Sequence, residues 1–429
     1  MTDKLLDTLI KKLDAPQSTY AALEAYYNGL QPLSFLSPEA KTALGDRLHR
    51  VSVNVPRLLV EAVAERLRIV GFDGAEVWPA WLANDADQTS GAVHREALAT
   101  GTSYILCWGN PDGSPNISAE SAKQVTVLLD PGTRQPVAAL KRWNTDSTTE
   151  ASLFEPHRVT RLRANTRGAT TGGLRVVETL DNPLGQVPVV PFVNSSGILD
   201  EGRSEMADVL SLTDALVKVS TDALVASEYT ARPRRFATGI ELELDEETGE
   251  SVNPIPEGDR AMVSESHEAR FGQLPGADLA GYETMIRTLV QEISAVTGLP
   301  PHMLGQQGDN PTSADSIRAS EAALTARAEA RQQAFGRSWE QVGRLAVAVR
   351  DKVSPSSVDV RVRWADAATR SVAQEADAAV KLVQAGVLPA SYALRKLGYS
   401  EDEITEIRQA RRVESVDALG VDLGQVVTS

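Results

Sequence analysis

The chain has 429 residues, 42% of them hydrophobic and 24% charged, enough to bury a large core and to fold as more than one unit. Its 43 basic and 58 acidic residues leave a formal charge of −15, which argues against a protein that grips nucleic acid by bulk phosphate neutralisation. The single cysteine, Cys107, rules out a disulfide framework and a cysteine-based zinc site, and the five histidines are scattered without an HExxH pair.

Apolar positions at helical spacing predict helices over 2–14 and 18–30, the second with a stripe of Tyr20, Leu23, Tyr26, Tyr27 and Leu30 and a stop at Gly29. The N-terminal stretch has neither the apolar core nor the cleavage site of a signal peptide, and no run of 18 apolar residues occurs. The expectation is a protein made in the cytoplasm, with no membrane partner. After a linker, "QPLSFLSPEA", Asn54 ahead of Val55 and Pro56 is a plausible start for a helix carrying Leu59, Val63, Leu67 and Val70 and ending at Gly71. "NDADQTSG" near Asp85 reads as a solvated loop that fits no EF-hand spacing, and "AVHREALATG" as a helix stopped by Gly101.

From about 92 to 200 the period changes. "TSYILCW", "QVTVLLD", "PVAALKRW", "TEASLFEP", "HRVTRLRA", "LRVVETLDN" and "VPVVPFVN" are strand-like runs between Gly, Pro, Asn and Asp clusters, a mainly antiparallel β unit. "GATTGG" at 168–173 reads as a mobile hairpin tip. A helix is predicted over 204–231, near 40 Å long at about 1.5 Å per residue, decorated by Asp208, Asp214, Asp222 and Glu228. Residues 232–272 form a small hairpin-like insertion. "RPRRF" opens it, and Arg232, Arg234 and Arg235 suit a phosphate, the acidic run of a neighbouring copy, or water. Glu241, Glu243 and Asp245 alternate with Ile240, Leu242 and Leu244 and so face water or a partner.

Helix resumes over 276–297. "GLPPHMLGQQGDNPTSADSIRAS" then interrupts it before a helix of about 38 residues, 312–350, with Thr312 and Asp315 as a shortened capping box. Ile317, Leu324, Ala328, Phe335, Trp339, Val342, Ala346 and Val349 line one side of this rod of nearly 60 Å. One chain cannot easily cover such a rod, so neighbouring copies are expected to. The arginines of "AALTARAEARQQA" are then available to pair across the subunit boundary. "SSVDVRVRW" is one alternating strand, and the tail from 366 is helical, broken at "GVLP" and "GYSED". From the residues alone, the segment after Gly298 reads as a surface turn between two helices.

There is no P-loop and no G-x-S-x-G elbow. No catalytic, metal or cofactor residue is predicted. A nuclease needs a clustered catalytic set that the sequence does not offer. An interaction scaffold, monomeric or oligomeric, is the other competing class.

The stretches "YYNGLQPLSFLSPE", "NVPRLLVEAVAERLRIVGF", "REALATGTSYILCW", "GQVPVVPFVN", "GLPPHMLG" and "NPTSADSIRASEAALTARAEARQQAFGRSWEQVGRLA" carry a resemblance. In this order the chain resembles the portal (head–tail connector) proteins of tailed bacteriophages, in the branch common among phages of actinobacteria. The resemblance implies an α+β portal fold. Residues 1–202 and 313–365 would be the wing, 203–231 and 273–298 the two stem helices, 232–272 the clip, 299–312 a tunnel loop and 366–429 a short helical crown. It further implies a structural, non-enzymatic ring, usually of twelve subunits, at the capsid vertex, through which double-stranded DNA is packaged and ejected. The implied partners are the terminase large subunit, the major capsid protein and a head–tail adaptor. Gly305, Gln306, Gln307, Gly308, Asp309 and Asn310 would face the DNA. The glycines lend backbone freedom, the amides weak exchangeable hydrogen bonds to phosphate, and Asp309 repulsion. Arg232, Arg234, Arg235, Glu241, Glu243 and Asp245 would serve clip docking. The expected location is the virion, after assembly in the host cytoplasm.

Overall fold

The structure, a computed structural model, describes residues 2–32, 53–195, 197–199, 201–231, 235–239, 267–273, 279–306, 314–368, 372–397, 399 and 401–418. It divides into two compact units, residues 1–367 and 368–429.

In the first unit, alternation along the strands builds a stack of layers. β2 (Thr102–Gly109) lies between β3 (Pro115–Glu120) and β9 (Val189–Val193), antiparallel to both. A second antiparallel sheet runs in chain order from β4 (Val125–Leu129) through β5 (Pro136–Asn144), β6 (Thr149–Phe154) and β7 (Arg158–Ala164) to β8 (Arg175–Asp181). Side chains on a strand alternate between faces. Ile105 and Cys107 accordingly join one core, while Tyr104 and Leu106 join another that is shared with Val127, Ala139 and Phe154 of the five-stranded sheet. The opposite face of that sheet, Ala138, Leu140 and Leu153, is covered by Leu6, Leu9, Ile10 and Leu13 of α1 (Thr2–Asp14).

The outer layer on the Ile105 side is helical. α2 (Gln17–Tyr27) contributes Leu23. α3 (Val55–Ala64) starts at Asn54, whose Oδ1 accepts from the Arg57 N–H at 3.1 Å. α4 (Trp78–Ala83) adds Trp81, and α5 (Ala86–Thr100) adds Val93, Ala97 and Leu98. The 38-residue α8 (Ala314–Asp351) supplies Leu324, Phe335, Trp339, Val342 and Ala346. At the centre, the Trp339 indole N–H donates to Nε2 of His94 at 2.8 Å, and the imidazole stacks on Phe335. Burial pushes His94 from 6.5 down to about 3, opposed only in part by the Leu67 carbonyl.

The structure departs from the sequence reading in identifiable places. The helix expected to reach Gly71 ends at Ala64, and β1 (Ile69–Gly74) comes next, pairing antiparallel with β12 (Val360–Trp364). Gly74, at φ +91°, lies where a Cβ would meet the Asp359 carbonyl oxygen at 2.4 Å. The loop expected near Asp85 is the start of α5, and α4 and β3 were not anticipated. The stretch at 168–173 is tied down: the Gly168 N–H donates to Asn144 Oδ1, the Ala169 N–H to Thr149 Oγ1, and a 3₁₀ turn closes at Gly173. The helix expected from 204 is α6 (Leu210–Ala231), 22 residues and so about 33 Å.

Arg327 and Arg331, expected to reach acids on another copy, both bind Glu205 of their own chain at 2.9 Å. The Asn194 side-chain amide donates to the same carboxylate at 3.1 Å, and the Glu205 N–H donates to the Leu98 carbonyl. Burial pushes the Glu205 carboxyl up. The charges of Arg331 and Arg327 and the hydrogen bonds from Arg331 and Asn194 outweigh that and hold it below its usual range. This node ties the chain just before α6 to the middle of α8. Beside it, Gly101 and Gly202 cross so closely that a Cβ on Gly202 would lie 2.4 Å from the Gly101 carbonyl oxygen.

The second unit contains α9 (Val372–Gln384), α10 (Ala390–Lys396) and α11 (Glu401–Ala418), broken where the sequence predicted. Ala379, Ala393 and Ile404 are buried, while Val387, Tyr392 and Val413 face outward.

These cores lead to two expected outcomes. The folded His94 stays neutral while the unfolded imidazole takes up a proton below 6.5. Its share of stability is therefore complete above pH 6.5 and falls by about 1.4 kcal/mol per pH unit on acidification towards 3. The stability advantage of wild type over His94→Gln, measured by urea unfolding, should shrink by about 2 kcal/mol between pH 7.5 and pH 5. Glu205→Ala leaves two largely buried guanidiniums without their carboxylate, and its denaturation midpoint should report a loss of about 3 kcal/mol.

Candidate functional site

The segment from α6 to α8 holds the residues that the sequence marked for function. α6 enters next to the Glu205 node, and a short ladder of β10 (Arg235–Thr238) and β11 (Arg270–Gln273) lies beyond it in the chain, with Arg235 opposite Gln273. The chain returns as α7 (Ala280–Thr297). α6 and α7 pack through Leu216 and Ile293, which share a small core with Val55 and are flanked by Leu212, Ile286, Leu289 and Leu304. Beside that seam an apolar edge of α7 is left uncovered: Met285 is 52% and Val296 46% exposed, with Leu224 of α6 also outside.

The acids of this region are largely engaged within the chain. Asp214 accepts from the Tyr26 hydroxyl at 2.7 Å, Asp222 pairs with Lys218, and Asp208 pairs with Arg203. Glu283 pairs with Arg287 one turn on, at 2.7 Å. The acids that decorate α6, and Glu283 on α7, are therefore partly neutralised by the chain itself.

α7 stops at Gly298, φ +68°, where a Cβ would lie 3.2 Å from that of Ala323 on α8. The close crossing favours glycine on both counts. Beyond it the chain forms a built turn. Leu299 is buried, its N–H donates to Thr297 Oγ1, and its carbonyl accepts from Ser294 Oγ at 2.7 Å. Pro301–Leu304 makes one 3₁₀ turn, closed by Gly305 at φ +75°. The Gln306 N–H donates to the Pro301 carbonyl at 3.0 Å, and its side-chain amide to the Arg287 carbonyl at 3.2 Å. Gln306 thus reaches back alongside α7 as far as Arg287. Gln307, Gly308, Asp309, Asn310 and Thr312 lie outside the described residues, as do Arg232, Arg234, Glu241, Glu243 and Asp245.

Sequence reasoning missed one feature here. Glu321 of α8 is buried against Arg66 at 3.3 Å and His302 at 3.7 Å. Its signal was a charge four residues after Ile317 and three before Leu324, inside the apolar stripe.

The described residues offer little for catalysis. No group of three His, Cys, Asp or Glu among them is arranged to hold a metal ion. Burial pushes the Cys107 thiol up to about 12, so it stays protonated. Among the described residues no helix is long and apolar enough to cross a membrane.

The family model "Phage portal protein, SPP1 Gp6-like" matches residues 7–415. The chain is 32% identical over 406 residues to the portal protein of Mycobacterium phage D29, covering 87% of this chain and 81% of that one. It is also 32% identical over 400 residues to the portal protein of Mycobacterium phage L5, with the same coverage. Among solved structures, a chain from the virion of a native gene transfer agent particle superposes with a TM-score of 0.50 at 15% identity, covering 89% of this chain and 93% of that one, a likeness of fold. A family match over nearly the whole sequence and two relatives aligned over four-fifths of their length make this chain a member of the phage portal protein family, a structural component of the virion and not an enzyme.

Proposed function

We propose that twelve copies of this chain close into a ring at the capsid vertex, with α6 and α7 as the stem around a channel for double-stranded DNA. The uncovered apolar edge of α7, Met285 and Val296 beside the packed seam, is the observation that carries this reading. A half-buried helix in a protein that works as an assembly member finds its remaining cover on a sister copy, and a head-to-tail contact with closing rotation makes a ring. Residues 1–202 and 313–365 then form the wing, 203–231 and 273–298 the stem, 232–272 the clip, and 366–429 the crown. The clip, with Arg232, Arg234, Arg235, Glu241, Glu243 and Asp245, docks the terminase large subunit during packaging and the head–tail adaptor afterwards. The wing meets the major capsid protein. Assembly takes place in the host cytoplasm.

Gln307, Gly308, Asp309 and Asn310 line the narrowest part of the channel in this reading. They come after a turn that is already anchored at Gly305 and Gln306. No Lys or Arg lies between 299 and 311, so DNA slides past without a fixed cationic hold.

The purified protein viewed by negative stain should show rings, with a mass near twelve chains by light scattering. A stable single-copy species would overturn the proposal. Deleting 307–310, which leaves the Gly305 turn in place, should preserve rings and reduce DNA packaging or retention. Loss of rings would instead make the segment part of the assembly contact.

A further inference from the structure

α8 is exposed at most of its first described positions. Residues 316, 317, 319 and 320 face solvent, as do 322 and 323. The first residue of the helix to be buried among those described is a charged one, Glu321, at 6% exposure. Taking a carboxylate out of water is costly unless charged partners and hydrogen-bond donors surround it. Its surroundings come from two other parts of the chain. Arg66 Nη2 lies 3.3 Å from one carboxylate oxygen, and His302 Nε2 lies 3.7 Å from the other. Arg66 is itself fixed. Its Nη1 donates to the Ala62 carbonyl at the end of α3, and its own carbonyl accepts from Gln332, three turns further along α8. Gln332 also donates to the Ala365 carbonyl just beyond β12.

We infer that Glu321 is a positioning residue that pins the Pro301–Leu304 turn to the end of α3 and so fixes the place and direction of the chain at Gln306. The meaning of this pin rests on the channel reading above, in which the next residues face DNA. Apolar contacts hold the turn on its inner side, through Leu299, Met303 and Leu304. They are non-directional and resist sliding poorly. The carboxylate supplies direction, because one of its oxygens is paired with Arg66 while the other lies against the His302 ring. Were the turn to detach, the chain between the end of α7 and the start of α8 would be about twice as long as the stretch beyond Gln306. At about 3.3–3.6 Å per extended residue, its reach would double.

Amide hydrogen exchange on the purified protein tests this. The reporting N–H groups are those of Met303, Gly305 and Gln306, which donate to Pro300, His302 and Pro301 within the turn. Glu321→Ala should accelerate their exchange at least tenfold while β2 and α5 amides keep wild-type rates. Glu321→Gln, which keeps an acceptor but not the charge, should give a smaller rise confined to the same three amides, and it carries the test if the alanine variant does not fold. Unchanged exchange at these amides, or an equal rise across β2 and α5, would overturn the assignment. Negative-stain images of the same samples judge the ring separately. A wild-type chain without rings sinks the channel reading, while the exchange pattern still decides the role of Glu321.

Discussion

A 38-residue helix has to find cover along nearly 60 Å, and the way α8 finds it organises the molecule. Its C-terminal half is enclosed by its own chain. Phe335 and Trp339 are fully buried, Val342 and Ala346 nearly so, and α5, β2, β9 and β12 are all placed by packing on that half. The Ser338 hydroxyl adds a direct hydrogen bond to the Pro191 carbonyl of β9. The N-terminal half is different. Its neighbours are the turn after α7 and the residues before α6, and it meets them through Glu321, Arg327 and Arg331 as much as through Leu324 and Ala328. The C-terminal half of α8 is therefore set by hydrophobic burial, and its N-terminal half by charge as much as by apolar contact.

That division bears on the acidic composition. A net charge of −15 invites a picture of repulsive surfaces facing DNA. Many of the acids instead have a local duty. Glu205 holds two arginines, Glu340 lies within 4 Å of Arg337, Arg344 and Arg361, and Asp214 accepts from Tyr26. Glu205 and Glu340 are largely out of water, so much of what their cations contribute goes to offsetting the cost of burying the carboxylate. Their effect is on geometry: they choose among the sliding positions that apolar contacts leave open.

Much of the fold was legible because it is local. Seven of the eight strands between Thr102 and Val193 announced themselves by alternation, and Gly101 and Gly298 ended helices as their φ values require. What failed depends on distant partners. Leu67 and Val70 continued the helical spacing of α3, yet Ile69–Gly74 is a strand because Val360–Trp364, some 290 residues later, offers it a ladder. β3 was hidden by its polar composition, "PNISAE", since only its pairing with β2 makes it a strand. At the site, the glycine punctuation of the turn was readable. The docking of its first half was not, because Leu299 looks like any loop leucine until α8 is laid across it. Glu321 broke a stripe that reads as apolar everywhere else, and its ion-pair partner Arg66 lies some 255 residues earlier in the sequence.

The two halves of α8 would meet a mechanical load in different ways. Around Trp339 and Phe335 nothing can move without opening a dry space among rings packed 4.6–6.0 Å apart, so that end yields abruptly or not at all. Around Glu321 and Glu205 the contacts are few, directional and between charged groups largely out of water, so a shift there separates specific pairs and does not open a packed space. A rod built this way resists displacement by volume at its root and by the alignment of a handful of charges nearer its tip.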